Sequence, residues 1–460
     1  MREQKKIYFM GIGGIGMSAL ARYFLHEGWL VAGYDRTETP LTRQLSAEGA
    51  EVNYEDSVEA IPDAFGSAED TIVVYTPAVP QDHPQMRFFA EGGFKMEKRS
   101  QMLGHLSEGK YVMAVAGTHG KTTTSTLIAW LNHSAKEQGN AFLGGISKNF
   151  GGNMVLGSGQ RLAVEADEFD RSFLRLKPDV AVITAVAADH LDIYGTFEAV
   201  VEAFGQFATL IKKGGHLILK QGVDIPLPEG ISIWRYSYDE PCDFYARNVR
   251  LQEGGYYLYD LVMPDSVIED CTLGIPGWVN IENSVAAAAS MWCAAKAEGK
   301  ALDVELLKQG LATYQGVKRR FEFYVNTPRQ VYMDDYAHHP EELEATITSV
   351  RKMFPGRKLT AIFQPHLYSR TKDLYVEFAE ALSHADDVVL VPIYPARELP
   401  LEGVCSEMIG EKVTKPWLVK EREELAEYLG QIQTDVVVSF GAGNIDAYCQ
   451  SIADVLAKKA

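Results

Sequence analysis

Short apolar runs, each closed by glycine or a polar cluster, recur along this chain and alternate with stretches whose apolar residues return every three or four positions. Residues 6–10 read as a strand, 17–27 as a helix and 30–34 as a second strand. Further strands are expected at 72–75, 111–116, 162–166, 180–187, 330–334, 360–363, 388–391 and 436–440. Amphipathic helices are expected after Lys121, over 284–295, and from Pro340, where Leu343, Ile347 and Val350 share a face and Arg351 and Lys352 close the last turn. Strand and helix in alternation predict parallel, doubly wound sheets, an α/β chain.

The turns between these elements carry the chemistry. After the first strand comes Gly11-Ile12-Gly13-Gly14-Ile15-Gly16, with Asp35 about twenty residues on, a Gly-x-Gly-x-x-Gly dinucleotide fingerprint. The glycines let a pyrophosphate approach the backbone, and Asp35 falls where a ribose or base can be bonded. A UDP-sugar presents the same pyrophosphate, so the pattern specifies a dinucleotide-like ligand and not hydride transfer. Thr76 opens a loop at the carboxyl end of the 72–75 strand, where a second ligand contact is expected. After the 111–116 strand comes Gly117-Thr118-His119-Gly120-Lys121-Thr122-Thr123-Thr124. Such a turn aims backbone N–H groups and a helix dipole at one point, favouring phosphate. Lys121 would reach the outer phosphates, and the Thr122 hydroxyl could hold magnesium. Val115 stands where the common phosphate loop has its first glycine, so this loop is a shorter variant.

The 460 residues fit three domains, placed at 1–107, 108–317 and 318–460. The hydrophobic fraction of 46% and charged fraction of 23% are those of ordinary globular proteins. A net charge of −18 argues against general affinity for nucleic acid or anionic membrane, so an anionic substrate must be held by local basic groups and helix ends. With no apolar leader and no apolar run of about 18 residues, a cytoplasmic protein without membrane insertion is expected. Five widely spaced cysteines without a Cys-x-x-Cys pair read as reduced residues.

Acid or imidazole also closes several strands, on the side where open α/β sheets bind ligands. Glu165 and His190 can then face the phosphate loop and coordinate magnesium. For Glu168, Asp170 and Asp192, solvated loop acids and site residues both fit. Asn280 and Asn283 lie near a helix start, either as caps or as partners for a purine edge.

These motifs resemble the Mur ligases of bacterial cell-wall synthesis over essentially the whole chain. The carriers are GIGGIG, GTHGKTTT, EADEFDRSF at 165–173, DHLD at 189–192, GVKRRFE at 316–322, DDYAHHPEE at 334–342 and FQPHLYSRT at 363–371. The resemblance implies a Rossmann-like UDP-binding domain, a central phosphate-loop ATPase domain with a mostly parallel sheet, and a Rossmann-like carboxy-terminal domain that closes over the site, in a monomer or homodimer. The implied reaction is ATP-dependent ligation of L-alanine to the carboxylate of UDP-N-acetylmuramate through an acyl phosphate, with Mg2+ as cofactor. By the same likeness Gly11, Gly13, Gly14, Gly16, Asp35 and Thr76 hold the UDP-sugar. Gly117, Thr118, His119, Gly120, Lys121 and Thr123 surround ATP; Thr122 and Glu165 hold one magnesium and His190 a second. Asn280 and Asn283 resemble the pair that reads adenine, Arg320 the arginine reaching ATP and Asp335 the acid on its ribose. His366 and Arg370 fall where the amino acid is gathered.

Three positions depart from the family pattern. Phe204 stands where ligases adding later residues have a lysine, carboxylated in use, in agreement with the alanine-adding branch. Val279 replaces a histidine before the first asparagine, and Leu367 a basic residue of FQPHRYSR, so amino-acid capture rests on His366 and Arg370. The alternatives are a ligase that reattaches a murein tripeptide to the same sugar and, from another class, an NAD-dependent oxidoreductase, which would leave the second phosphate loop without a task.

Overall fold

The computed structural model describes residues 5–188, 191–396 and 398–460, and for Asp170, Leu191 and Asp192 the backbone alone. It is an α/β protein with mostly parallel sheets, divided into two compact units. One holds the chain up to Ser237 with Pro241–Phe244 and Ala286–Gly310; the other holds Tyr238–Glu240, Tyr245–Val285 and Leu311–Ala460.

The first unit begins with strands β1 (Lys6–Met10), β2 (Leu30–Tyr34), β3 (Glu51–Asn53), β4 (Thr71–Tyr75) and β5 (Lys95–Lys98), all parallel in the order β3-β2-β1-β4-β5. The order reverses between β1 and β4, which is where such a sheet opens a ligand crevice. The glycine turn follows β1 and Thr76 follows β4, so both sit at that switch point.

The second sheet of this unit is built around β6 (Tyr111–Ala116), an apolar run buried on both faces. Parallel β9 (Arg161–Glu165) and β10 (Val180–Ile183) flank it, with Val115 opposite Glu165 and Ala116 opposite Ile183. Beyond β9 lie β7 (Asn140–Ser147) and antiparallel β8 (Gly152–Val155); beyond β10 lie β11 (His216–Lys220) and β12 (Ser232–Ser237). The strand expected over 180–187 stops at Ile183. There Thr184 turns its hydroxyl to the carbonyls of Ala116 (3.1 Å) and His119, and Ala185 accepts from the Thr118 N–H, so these residues brace the phosphate loop and do not extend the ladder.

The second unit contains an antiparallel meander, β13 (Phe244–Leu251), β14 (Tyr257–Met263) and β15 (Ser266–Thr272), which sequence reading did not anticipate. A six-stranded sheet of this unit runs β16-β17-β21-β18-β19-β20, from β16 (Glu322–Asn326), β17 (Val331–Asp335), β18 (Leu359–Phe363), β19 (Asp387–Leu390), β20 (Trp417–Val419) and β21 (Val436–Phe440). Only the edge strand β16 is antiparallel. Helix Pro340–Met353 buries Leu343, Ile347 and Val350 against it, and Glu342 caps the N–H groups of His338 (2.9 Å) and His339 (3.3 Å). Among the described residues no helix is long and apolar enough to cross a membrane, and all five cysteines are free thiols.

Candidate active site

The glycine turn is held from below by the acid that sequence reading assigned to the ligand. The Gly13 N–H donates to Asp35 Oδ2 at 2.7 Å, and a Cβ on Gly13 would lie 2.8 Å from that oxygen. A side chain here would displace the acid that shapes the turn. Thr76 packs beside Gly11, Gly14 precedes helix Ile15–His26, and Gly16 faces the Arg99 guanidinium. The structure therefore groups Gly11, Gly13, Gly14, Gly16, Asp35 and Thr76, and adds Arg99. Arg99 also reaches Asp167 at 3.3 Å, on the loop that follows β9. A second tie runs through Asn153 of β8, fully buried, whose amide donates to Ile15 O (2.5 Å) and Ser18 Oγ (3.0 Å) and accepts from Arg22 Nη1 (2.5 Å).

In the phosphate loop, Gly117 has a left-handed φ of +134°, and a Cβ there would lie 2.2 Å from Thr184 Oγ1, so only glycine fits. Gly120, also left-handed, hands the chain to helix Lys121–Ser134. Thr118, Thr122 and Thr123 are buried, and Thr118 Oγ1 has no partner among the described residues. A buried hydroxyl of that kind is available to an anion's oxygen.

Lys121 Nζ donates to Gly117 O (2.6 Å) and to Glu168 Oε1 (2.7 Å). Burial opposes the charge on this ammonium, but Glu168, Asp167 and Glu165 outweigh it and raise its pKa. Burial in turn pushes the Glu168 carboxyl up, with Lys121 partly offsetting it. Glu165 closes β9 against Gly144. Lys121, Thr122 and Glu165 are thus brought together, whereas His190 lies outside the described residues. Thr122 and Glu165 offer hard oxygen donors, the kind magnesium selects. Glu168, which read equally well as a loop acid, is one of the most buried acids of the molecule. No local pattern marks it, because its partner Lys121 lies 47 residues away.

The second unit gathers the remaining candidates. Asn280 and Asn283 lie buried in the first turns of helix Trp278–Ala297; Asn280 Nδ2 donates to Pro276 O (2.6 Å) and Asn283 Nδ2 to Asn280 Oδ1 (3.3 Å). Val279 packs against the carboxy-terminal core. Asp335, closing β17, accepts from the N–H groups of Phe321 (2.9 Å) and Ala337 (3.0 Å), and burial pushes its carboxyl up to about 6. The Arg320 guanidinium lies 4.9 Å from the Tyr336 ring. Next to them the His338 ring meets His366 edge-on at 6.1 Å, and His366 stacks on Tyr394 at 5.7 Å. Burial, with Arg370 and Arg320 adding to it against Glu342, lowers His338 to about 4, so it is neutral at pH 7 and its Nδ1 lies 3.0 Å from Tyr336 O. Arg320, Asp335, His366 and Arg370 are accordingly one polar group around His338. Arg319, which sequence reading passed over, anchors it.

Three family models match the chain: Mur ligase family, catalytic domain, over 6–111; Mur ligase middle domain over 115–291; and Mur ligase, glutamate ligase domain, over 319–443. A UDP-N-acetylmuramate--L-alanine ligase of Phocaeicola vulgatus is 48% identical over 99% of both chains, and one of Parabacteroides distasonis 47% identical over 98% of this chain and 97% of its own. The crystal structure of a UDP-N-acetylmuramate-alanine ligase from Thermotoga maritima is similar with a TM-score of 0.81 at 25% identity, covering 99% of this chain and 100% of its own.

Proposed function

This chain belongs to the Mur ligase family, and from that membership we propose that it is the ADP-forming ligase that joins L-alanine to the carboxylate of UDP-N-acetylmuramate. The observation that carries the reading is the phosphate loop with Lys121 held among Glu165, Asp167 and Glu168, in the same compact unit as a dinucleotide turn. One loop would accept the triphosphate and the other turn the uridine diphosphate. The proposed domains are 1–107 for the UDP-sugar, 108–317 for ATP and 318–460 for the amino acid, acting in the cytoplasm.

A carboxylate does not condense with an amine at neutral pH; it must first take a phosphoryl group from ATP. The sugar's carboxylate oxygen attacks the terminal phosphorus, ADP leaves, and the acyl phosphate is attacked by the alanine amine, releasing phosphate. In phosphoryl transfer most catalysis is positioning and charge stabilisation. Lys121 and the N–H groups of residues 119–122 would orient the phosphates, the Thr118 hydroxyl would add a donor, and Arg320 would neutralise developing charge. Thr122 and Glu165 would hold magnesium, which offsets phosphate charge when bound. His366 and Arg370 would hold the alanine, with neutral His338 packed against His366.

Phosphate release together with mass spectrometry of the product tests this. ADP should form only when UDP-N-acetylmuramate and L-alanine are both present, and the product should gain one alanyl residue. Turnover on a murein tripeptide and not on alanine, or on NADH without ATP, would replace the reading.

A further inference from the structure

Arg319 joins three separate segments of the second unit through one guanidinium. Its Nε donates to Asp334 Oδ2 at 3.1 Å, Nη1 to Gly443 O at 3.0 Å and Nη2 to Gly441 O at 2.5 Å. Asp334 is completely buried, and its other oxygen accepts from Ser439 Oγ at 2.6 Å, which ties in the strand before the Gly441 loop. The guanidinium plane lies 5.2 Å from the Tyr336 ring, the same ring that Arg320 approaches at 4.9 Å.

The main chain around Arg320 is as constrained as the side chain of its neighbour. Arg319 and Phe321 both have left-handed φ values, +61° and +47°, which side chains other than glycine adopt only when their surroundings impose them. The Arg319 N–H donates to Glu322 Oε2 (2.8 Å), its carbonyl accepts from Tyr336 N (2.7 Å), and the Phe321 N–H donates to Asp335. Every one of these partners belongs to 322–443. Arg320 is therefore presented by a clamp built from the carboxy-terminal sheet and its loops, and not by a loose linker.

We propose that Arg319 is a positioning residue for the ligation reaction: it locks the backbone from which Arg320 departs to Asp334 and the Gly441–Gly443 loop, so that Arg320 is aimed as a fixed part of the carboxy-terminal domain. This rests on the ligase reading above. A lysine cannot replace it, because three acceptors lying in different directions require the planar fork and a single ammonium has no fixed geometry.

The test is Arg319→Lys in the full chain, with steady-state kinetics and amide hydrogen exchange measured below the unfolding temperature. The expected result is a kcat at least tenfold below wild type, a KM for UDP-N-acetylmuramate within twofold, and exchange at least fivefold faster in 319–322 and 441–443. A role in stability alone would leave kcat unmoved at that temperature. A kcat within twofold of wild type, or unchanged exchange in those segments, overturns the proposal. If Arg319→Lys does not fold, Asp334→Asn removes the same charge partner and carries both readouts. Should the wild-type protein form no ADP with L-alanine, the ligase reading fails separately, and the exchange data still decide whether Arg319 fixes this segment.

Discussion

Lys121 Nζ sits 2.7 Å from Glu168 Oε1, a pair in which the lysine side chain is 14% exposed and the glutamate 2%. Removing either partner takes from the other its directly bonded counter-charge, but the two losses are unequal. Burial already pushes the Glu168 carboxyl up, so in Lys121→Ala it can take a proton. In Glu168→Ala the ammonium keeps Asp167 and Glu165 nearby but loses the carboxylate it bonds directly. Glu168→Ala should cost about 3 to 5 kcal/mol of stability, and Lys121→Ala less. Ligation should follow the opposite order, falling about a thousandfold or more in Lys121→Ala while UDP-sugar binding persists. Thermal unfolding, ADP formation and calorimetric titration with UDP-N-acetylmuramate check the three statements; a Lys121→Ala protein that still turns over would refute the assignment.

Two groups of the second unit, the buried Asp335 and the half-buried His338, titrate in opposite senses. Asp335 is raised from 3.8 to about 6, so between those values the folded state holds more protons and stability is lost as pH rises. His338 is lowered from 6.5 to about 4, so the unfolded state holds more protons and stability is gained as pH rises. Each shift corresponds to roughly 3 kcal/mol at most, and in the wild type they largely cancel. Asp335→Asn should therefore unmask a stability that climbs from pH 4 to 6.5, and His338→Gln one that declines from pH 4 to 6. Urea unfolding of the three proteins across that range would show parallel curves if the two groups were not perturbed.

How far the chain could be read in advance follows from which interactions are local. The strands at 6–10, 111–116 and 436–440 are runs whose burial on both faces leaves a continuous apolar signature, and the glycine turns are set by backbone geometry within a few residues. The β13–β15 meander has an exposed face and mixed composition, with Arg247, Asn248 and Arg250 in one strand, so its period is faint. The roles of Glu168, Arg319 and Asn153 depend on partners 47, 122 and 138 residues away, which no local pattern encodes. Asp35 was legible as the acid of the fingerprint, but not its bond to the Gly13 N–H.

Asn153 yields a prediction of that long-range kind. It lies on β8, yet its amide holds Ile15 O and Ser18 Oγ at the start of the helix that follows the glycine turn. Asn153→Ala leaves the Ile15 carbonyl and the Arg22 guanidinium without this partner, at about 1 to 3 kcal/mol. The glycine turn should lose its fixed relation to the phosphate-loop sheet. The KM for UDP-N-acetylmuramate should rise roughly tenfold, by about 1.4 kcal/mol in binding, with the KM for ATP little changed. An equal rise in both would point to general loosening.

Phe204 bears on which ligase this is. It is fully buried in helix Phe197–Thr209, its ring edge-on to Phe173 at 5.3 Å, while Phe173 stacks on Phe207 at 5.0 Å. A lysine at this position needs an open, polar surround to be carboxylated by carbon dioxide, and an aromatic cluster supplies neither space nor partners. Phe204→Ala should cost about 3 to 5 kcal/mol, the usual range for emptying an aromatic core position. Phe204→Lys should cost at least as much, since an ammonium buried there must either lose its proton or disrupt the packing. Thermal unfolding measures both losses. The folded fraction of Phe204→Lys should show no rise in turnover with added bicarbonate; a bicarbonate-dependent gain would mean that the site can still accept a carboxylated lysine and that the aromatic cluster does not exclude the later-acting chemistry.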